Sequence, residues 1–325
     1  MAKPGLTSAT PSEPWAWNAT LAVEQAYNDN VEQQSGPHAP DDFITSFTGV
    51  LDWENQRKRS RLPKELIVPV QGHIYHNIPD ADYFEIAPEV GSPLWWQTDL
   101  WLGYRFSPRR RLFDEGNGGG PVLYMENAGT AAVRRRFGQR KQLRAELGFD
   151  GEWDDYRQGH HGRDSFTPSL VWDLRYRFWS PGDPNLSVTP RFKLEYGRRH
   201  AHADNYDRDE LTLSPGFDLQ FPLGIGVRFR YERSLRDYTV GSLRADDGAR
   251  NSNYQREDDI SQYQTWLVVP LSLVTGLAVG ARYRFRSGVY DEPNRKQTDA
   301  TGNTTVGVEE QFDVHEVGLE VSYTF

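Results

Sequence analysis

Charged side chains that recur at every second position are the residues of this sequence with the clearest potential for chemistry. Within Phe166–Phe178, Asp173, Arg175 and Arg177 share one face, and aliphatic or aromatic residues occupy the other. This alternation is typical of a β-strand, because its successive side chains point to opposite faces. Guanidinium and carboxylate groups arranged in this way can pair with each other or bind polar and charged solutes.

Most of the predicted strands carry such a charged face. The candidate basic residues are Arg105, Arg144, Arg175, Arg177, Arg191, Lys193, Arg228, Arg230, Arg282, Arg284 and Arg286. The candidate acidic residues are Glu24, Asp52, Asp99, Glu146, Asp150, Asp173, Glu195, Asp218, Glu232 and Glu320. Unpaired charges in a dry core would cost several kcal/mol each. We therefore expect these residues to line a water-filled interior.

Rings of charge set the ion selectivity of a water-filled interior. Because the basic candidates slightly outnumber the acidic ones, the pattern predicts a weak preference for anions or acidic saccharides. In the alternative interpretation, the arginine–carboxylate pairs bridge neighbouring strands and only stiffen the wall.

Strands that could position these side chains extend along the whole chain. Alternation is clear in Leu143–Trp153, Phe166–Phe178, Leu186–Tyr196, Leu211–Phe221, Ile225–Tyr231 and Leu277–Phe285. It is rougher in the N-terminal half, in Trp15–Tyr27, Phe43–Trp53, Leu66–Ile74 and Leu94–Phe106. It is weaker in Val122–Phe137, which could be one strand or two short ones. The count is about fourteen, with twelve possible, and bacterial single-chain barrels have even numbers. Several are long enough to cross a bilayer at a tilt.

The connections alternate in length. Those at Ser180–Asn185, Pro222–Gly224 and Ser272–Gly276 are short, and those at Gly197–Glu210, Arg233–Asp259 and Gly288–Glu310 are long and polar. Short periplasmic turns and long extracellular loops are typical of transmembrane barrels. The predicted fold is thus all-β, a single antiparallel up-and-down transmembrane barrel over residues 15–325, preceded by a disordered lead over residues 1–14.

Composition agrees with this class. The mean hydropathy is −0.73, and no apolar stretch reaches the roughly 18 residues of a transmembrane helix. The chain has 10 Trp, 16 Tyr and 16 Phe, as expected for aromatic girdles at the membrane interfaces. A net charge of −9 disfavours a nucleic-acid partner. The start Met1–Pro4 lacks the apolar region of a signal peptide, so we expect a mature chain with an added methionine.

The sequence offers no recognisable enzymatic or cofactor-binding motif. It has no cysteine, and it lacks the G-x-S-x-G, phosphate-loop and H-E-x-x-H patterns. His160-His161 and His200-Ala-His202 each lack an identifiable third metal ligand. The acidic stretches Asp204–Glu210 and Arg256–Asp259 do not have calcium-loop spacing, so we interpret them as solvated loop charge. We predict no enzyme activity, cofactor or metal.

The chain ends with apolar residues at alternate positions, Val317, Leu319, Val321, Tyr323 and Phe325. This segment resembles the terminal strand of bacterial outer-membrane proteins, in which the final Phe and the alternate apolar residues are recognised by the barrel-assembly machinery. The resemblance implies an outer-membrane location in a Gram-negative bacterium, with lipid and lipopolysaccharide as neighbours.

In strand number and length the chain is similar to the monomeric porins typified by outer-membrane protein G. This resemblance implies passive diffusion of small hydrophilic solutes, and a monomer rather than a trimer. Tyr27-Asn28-Asp29-Asn30-Val31 also resembles the start of porins associated with exopolysaccharide loci, although Asn and Asp equally favour a polar loop entry. Two alternatives therefore stay open, a barrel that secretes exopolysaccharide or oligosaccharide and a non-conducting barrel that is an enzyme or an adhesion scaffold.

Overall fold

A computed structural model describes most of the chain. The described residues are 15–30, 41–55, 63–78, 82–95, 97–112, 122–138, 142–156, 163–179, 185–202, 207–238, 256–272, 274–298 and 304–325, without the side chains of residues 15, 111–112, 122, 292–298 and 304–310. The predicted disordered lead, residues 1–14, lies outside these ranges.

Long strands account for nearly all of the described residues, and two of the strands are interrupted. They are β1 Trp15–Asn28, β2 Asp42–Asn55, β3 Glu65–Tyr75, β4 Tyr83–Ile86 with Glu89–Trp95, β5 Thr98–Leu112, β6 Val122–Phe137, β7 Leu143–Tyr156, β8 Ser165–Tyr176 with Phe178–Trp179, β9 Ser187–Ala201, β10 Arg208–Gln220, β11 Gly226–Tyr238, β12 Arg256–Pro270, β13 Leu277–Thr298 and β14 Thr304–Thr324. No helix in the described part of the chain is long and apolar enough to cross a membrane.

Each strand pairs antiparallel with the next one along the chain, and β14 pairs with β1. The closing pair runs in continuous register from Thr20 opposite Thr324 to Asn28 opposite Glu316. The backbone N–H of Phe325 adds a hydrogen bond of 2.9 Å to the carbonyl oxygen of Ala19. The predicted up-and-down barrel of fourteen strands is therefore confirmed.

The two faces of the barrel wall differ in polarity. Large apolar side chains such as Trp17, Leu170 and Leu319 are exposed on the outer face. Buried charged residues, among them Asp173 and Glu316, lie on the inner face. This polarity is the reverse of that of a water-soluble protein, and it is the arrangement of a barrel surrounded by lipid with a polar interior.

Tyrosines on the outer face mark the loop end of the apolar band. The hydroxyl of Tyr27 donates to Asp41 at 2.9 Å, and that of Tyr104 donates to Asn127 at 2.6 Å. Tyr196 similarly donates to Asp209 at 3.0 Å. An aromatic ring in the apolar zone with its hydroxyl in a polar zone is the geometry of an interfacial girdle.

The C-terminal residues lie as the alternation predicts. Val317, Leu319, Val321 and Phe325 are more than half exposed on the outer face. The rings of Tyr323 and Phe325 meet edge to face, with centroids 4.6 Å apart. Recognition of these five residues by the assembly machinery stays a prediction.

The bounds of three predicted loops differ from the structure. β9 continues to Ala201, β11 to Tyr238 and β13 to Thr298, so parts of the expected loops are strand. The acidic stretches likewise lie partly in strands, at the start of β10 and of β12. The reason is that polar residues beyond the apolar band keep their strand hydrogen bonds and pair their charges across strands.

Two further boundaries differ from the prediction. Leu94–Phe106 is not one strand, because a tight turn between Trp95 and Thr98 separates β4 from β5, with Gln97 at φ 56°. The sequence hides this turn, since it lacks the Gly or Asn that such a backbone favours. Val122–Phe137, in contrast, is a single strand of 16 residues.

Candidate functional site: the charged inner face

All the basic residues predicted to line the interior lie at inner-face positions of the wall, and only Arg177 is outside a strand. Arg177 lies in the interruption of β8, is exposed, and its Nε donates to Thr189 Oγ1 at 3.5 Å. The ten predicted acids also lie at inner-face positions. For example, Glu146 is opposite Asp173, and Glu24 is opposite Glu320. A role of these residues in solute passage stays a prediction.

The structure adds inner-face charges that the sequence interpretation missed. They are Glu85, Glu89, Arg110, Glu126, Arg134, Arg136, Glu152, Asp154, Arg199, Arg208, Glu210, Arg236, Arg256, Asp258 and Glu316. Several of these residues, such as Arg199 and Arg236, lie in parts of β9 and β11 that the sequence analysis assigned to loops. Arg110 was hidden by a bulge between Ser107 and Arg110, which shifts the alternation of β5 and directs this side chain inward.

The dominant contact on the inner face is one carboxylate held by two arginines. Glu146 lies 2.8 Å from Arg134 and 2.5 Å from Arg144. Asp173 lies 2.7 Å from Arg175 and 2.6 Å from Arg191. Charge-assisted contacts of this length are strong, yet each such group keeps one positive charge in excess.

The same arrangement recurs around the wall. Asp218 lies 3.0 Å from Arg228 and 2.9 Å from Arg230. Glu210 lies 3.1 Å from Arg208 and 3.2 Å from Arg236. Glu126 and Glu316 are also held by two arginines each, Glu126 by Arg105 and Arg110 and Glu316 by Arg282 and Arg284.

In these last two groups, further carboxylates balance the charge. Arg105 also contacts Glu152 at 2.7 Å, and Arg282 also contacts Glu24 at 2.9 Å across β14. The second contact depends on Gly318, because a Cβ there would lie 2.0 Å from Glu24 Oε1. Glycine therefore lets a β1 carboxylate reach an arginine two strands away.

The two sides of the interior carry different charge. On the inner face of β14 and β1–β4, the described side chains include carboxylates such as Glu24, Asp42, Glu54, Glu85 and Glu316, but no lysine or arginine. The inner-face arginines of the described wall lie on β5–β13. A solute inside the barrel would therefore face an acidic wall on one side and an arginine-rich wall on the other.

A cavity of about 670 Å³ lies along the inner face from β4 to β13. Both signs of charge line it, including Glu89, Arg105, Lys193, Glu195 and Arg236. A space of this size with a charged lining suits water and small polar solutes rather than an apolar ligand.

Arginines and aromatic rings meet at the loop end of the inner face. Arg256 lies over the ring of Tyr238 at 5.2 Å and over that of Tyr290 at 4.8 Å. Tyr290 also belongs to a buried apolar cluster with Ile260, Phe312 and Val314. These contacts fix the guanidinium group in place, because cation–π geometry adds to its ion pairs.

Three carboxylates approach closely enough to share a metal ion. Oxygens of Glu126, Glu152 and Asp154 lie within 4.8 Å of one another. However, Arg105 already contacts the two glutamates, and Arg199 lies 3.4 Å from Asp154. We interpret this trio as part of an arginine–carboxylate network. His200 lies on the outer face of β9, and His160 and His161 lie outside the described residues.

The segment Tyr27–Val31, which resembles exopolysaccharide-associated porins, closes the end of β1. Asn28 Nδ2 donates to Glu316 Oε2 at 3.2 Å, and Asn30 Nδ2 donates to the carbonyl oxygen of Asp313 at 3.0 Å. The N–H of His315 donates to Asp29 at 2.6 Å. These bonds to β14 explain its polar residues as a strand-end cap, and Val31 lies outside the described residues.

Comparisons with known proteins give distant structural matches only. No family model and no curated sequence matches the chain. The solved structures that it resembles include the anion-selective porin from Comamonas acidovorans, with a TM-score of 0.44, 10% identity, and coverage of 96% of this chain and 99% of that one. Another is the outer-membrane protein opdK from Pseudomonas aeruginosa, with a TM-score of 0.41, 12% identity, and coverage of 95% and 98%.

Proposed function

We propose that the chain is an outer-membrane channel through which small hydrophilic solutes diffuse passively. The observation that carries this proposal is the polarity of the wall, in which a charged inner face with a cavity of about 670 Å³ lies inside an apolar outer face. With fourteen strands the barrel is wider than the eight-stranded type that side chains alone can fill.

We propose the outer membrane as the location of this channel. A closed barrel leaves no unpaired edge in lipid, and the aromatic residues of the outer face suit its two interfaces. We propose lipid and lipopolysaccharide as its surroundings, insertion by the barrel-assembly machinery through Val317–Phe325, and a monomeric state.

We also propose a weak preference for anions or acidic saccharides. The support comes from the carboxylates that two arginines share, such as Glu146, Asp173 and Asp218. These pairs do bridge neighbouring strands, as the stiffening interpretation requires. Bridging and selectivity are compatible, because each of these three carboxylates leaves one charge of its arginine pair uncompensated.

Swelling of proteoliposomes tests the diffusion of solutes. The purified protein is folded into vesicles loaded with a large polymer and diluted into isotonic pentose, hexose or disaccharide. We expect swelling that slows as the sugar grows, whereas vesicles of the same lipid without protein stay constant. Absence of swelling with protein that is folded by circular dichroism would contradict a passive channel and favour a non-conducting barrel. Faster passage of a long acidic oligosaccharide than of a hexose would favour the secretion alternative.

The reversal potential in a KCl gradient tests the anion preference. We expect a potential displaced modestly toward the chloride equilibrium potential. A potential at zero or on the potassium side would reject the anion preference and leave the channel itself standing.

A further inference from the structure

A lateral row of arginines crosses the wall near the end of the barrel that carries the short turns. We call Arg136, Arg144, Arg175, Arg191 and Arg230 the arginine row. We propose that this row is a binding site for small oxyanions with two or more negative charges, namely di- and tricarboxylates and phosphate-bearing solutes. The inference rests on the proposed channel function and names the solute class that the channel would hold inside its lumen.

The strand register places these arginines side by side. Arg136 is opposite Arg144, Arg144 is opposite Arg175, and Arg175 is opposite Arg191. Four neighbouring strands therefore present a guanidinium group at one level. Like charges directly opposite each other destabilise a sheet, so the row needs negative charge beside it.

Gly216 connects the fifth arginine to the row. It is opposite Arg191 on one side and Arg230 on the other. A Cβ at Gly216 would lie 2.8 Å from Arg230 Cδ and 3.0 Å from its Nη1. The side chain of Arg230 thus lies over this glycine, where its Nη1 donates to the carbonyl oxygen of Phe217 and its Nη2 to Asp218.

Among the described residues, the carboxylates that contact the row are too few to neutralise it. Glu146, Asp173 and Asp218 are each shared by two arginines. Asp99 approaches Arg136 only to 3.8 Å. The balancing carboxylates of the other half of the lumen, such as Glu152 and Glu24, contact Arg105 and Arg282 instead.

Unused donors are also present. The Nε–H groups of Arg144 and Arg191 are buried and meet no hydrogen-bond acceptor among the described residues. A buried donor without a partner is costly, and the planar guanidinium fork suits carboxylate and phosphate oxygens. Both side chains are still 23% exposed, so an anion in the lumen would contact the accessible part of each guanidinium group and offset the excess charge.

The spacing of the arginines explains why the number of charges on the anion should affect its binding. Adjacent strands lie about 4.8 Å apart, so the first four arginines of the row repeat at about that interval, and Arg230 lies two strands beyond Arg191. A monovalent anion can contact one or two of them, whereas a tricarboxylate can bridge several at once. The row would therefore distinguish anions by their number of charges.

Block of the channel current by citrate tests the inference, with acetate as the monovalent comparison. The current of KCl through single channels is recorded with citrate added from either side. We expect citrate to interrupt the current at concentrations where acetate does not, and the block to weaken at high salt because screening increases. Inorganic phosphate and a glucuronate oligosaccharide, tested separately, distinguish a phosphate ligand from a carboxylate ligand.

A double variant, Arg144→Gln with Arg191→Gln, removes two members of the row and leaves every carboxylate a partner. Glu146 keeps Arg134, and Asp173 keeps Arg175. The matched control is Arg110→Gln with Arg236→Gln, which removes the same charge elsewhere in the lumen while Glu126 keeps Arg105, Glu85 keeps its hydrogen bond from Gln71, and Glu210 keeps Arg208.

We expect the row variant to raise the half-blocking concentration of citrate about tenfold, and the control to change it little. Calorimetric titration of citrate into the micellar protein should show the same loss, independently of conduction. Equal block by acetate and citrate, or equal loss in both variants, would overturn the inference while leaving a conducting channel intact. Protein that is folded but does not conduct would instead reject the proposed function, and the titration would still decide whether the row binds citrate.

Discussion

At the scale of the residue, Asp173 shows how much of the site the sequence can predict. Its alternation with Arg175 and Arg177 places the three on one face, and the structure has them at inner-face positions. The sequence cannot show that Arg191 shares this carboxylate, because the contact depends on the register between β8 and β9. Arg110 was not predicted for a related reason. A bulge in β5 shifts the two-residue alternation, so the sequence pattern places this side chain on the wrong face.

Replacement of Asp173 by Asn should increase the preference for anions. The change removes a negative charge that Arg175 and Arg191 now share. A unit charge about 8 Å from a permeating ion in an aqueous lumen is worth about 0.5 kcal/mol. Removing the negative charge favours chloride and disfavours potassium by this amount, so the chloride-to-potassium permeability ratio should rise roughly fivefold. The reversal potential in a KCl gradient measures this ratio.

The matched control for this change is Asp259→Asn. Asp259 pairs with Arg233 at 2.6 Å, and both are exposed on the outer face, so the same change of charge there should leave selectivity unaltered. An unchanged or reduced anion preference in the Asp173 variant would contradict a selective role for the shared carboxylates.

At the scale of the element, the clear apolar–polar alternation predicts where strands lie but not where they end. The apolar band stops at the membrane interface, whereas the hydrogen-bonded strand continues beyond it, as β13 does to Thr298. The turn at Pro222–Gly224 was predicted from its composition. Composition did not predict the backbone conformation of this turn. Leu223 has a φ of 66°, in the left-handed region that Gly or Asn usually occupies.

Leu223→Asn should stabilise the barrel. Leu223 is 88% exposed, so little packing is lost, and its left-handed backbone conformation costs a leucine about 1 kcal/mol more than it costs Asn. The expected gain in the free energy of unfolding is about 1 kcal/mol, measured by urea titration of the protein in vesicles.

Gly224→Ala in the same turn should have the opposite effect. The φ of Gly224 is 82°, and a Cβ there would lie 2.9 Å from Pro270 Cγ. Loss of stability in both variants would show that this turn does not adopt the described conformation.

At the scale of the whole molecule, the inverted polarity separates lipid-facing from lumen-facing positions along each strand. Leu170 and Ser169 are neighbours in β8, yet Leu170 is 55% exposed on the outer face and Ser169 lines the cavity. The fold class and strand number followed from the sequence because this alternation repeats along the chain. The charge difference between the two walls could not be predicted from the sequence, because it depends on which strands become neighbours when β14 pairs with β1.

Leu170→Arg should destabilise the barrel in lipid more than Ser169→Arg. Leu170 is opposite the interfacial Tyr196, and an arginine on the lipid face at that level costs about 1 kcal/mol, whereas an arginine in the lumen stays hydrated. Urea titration of both variants in vesicles gives the comparison. Equal losses would contradict the assignment of the two faces.

Single-channel recording of the folded protein in a planar bilayer tests the proposed function most directly. A charged lumen inside a closed apolar barrel predicts steady unitary currents in KCl that grow with salt concentration, with a weak preference for chloride. Protein that is inserted and folded but carries no current would contradict the channel.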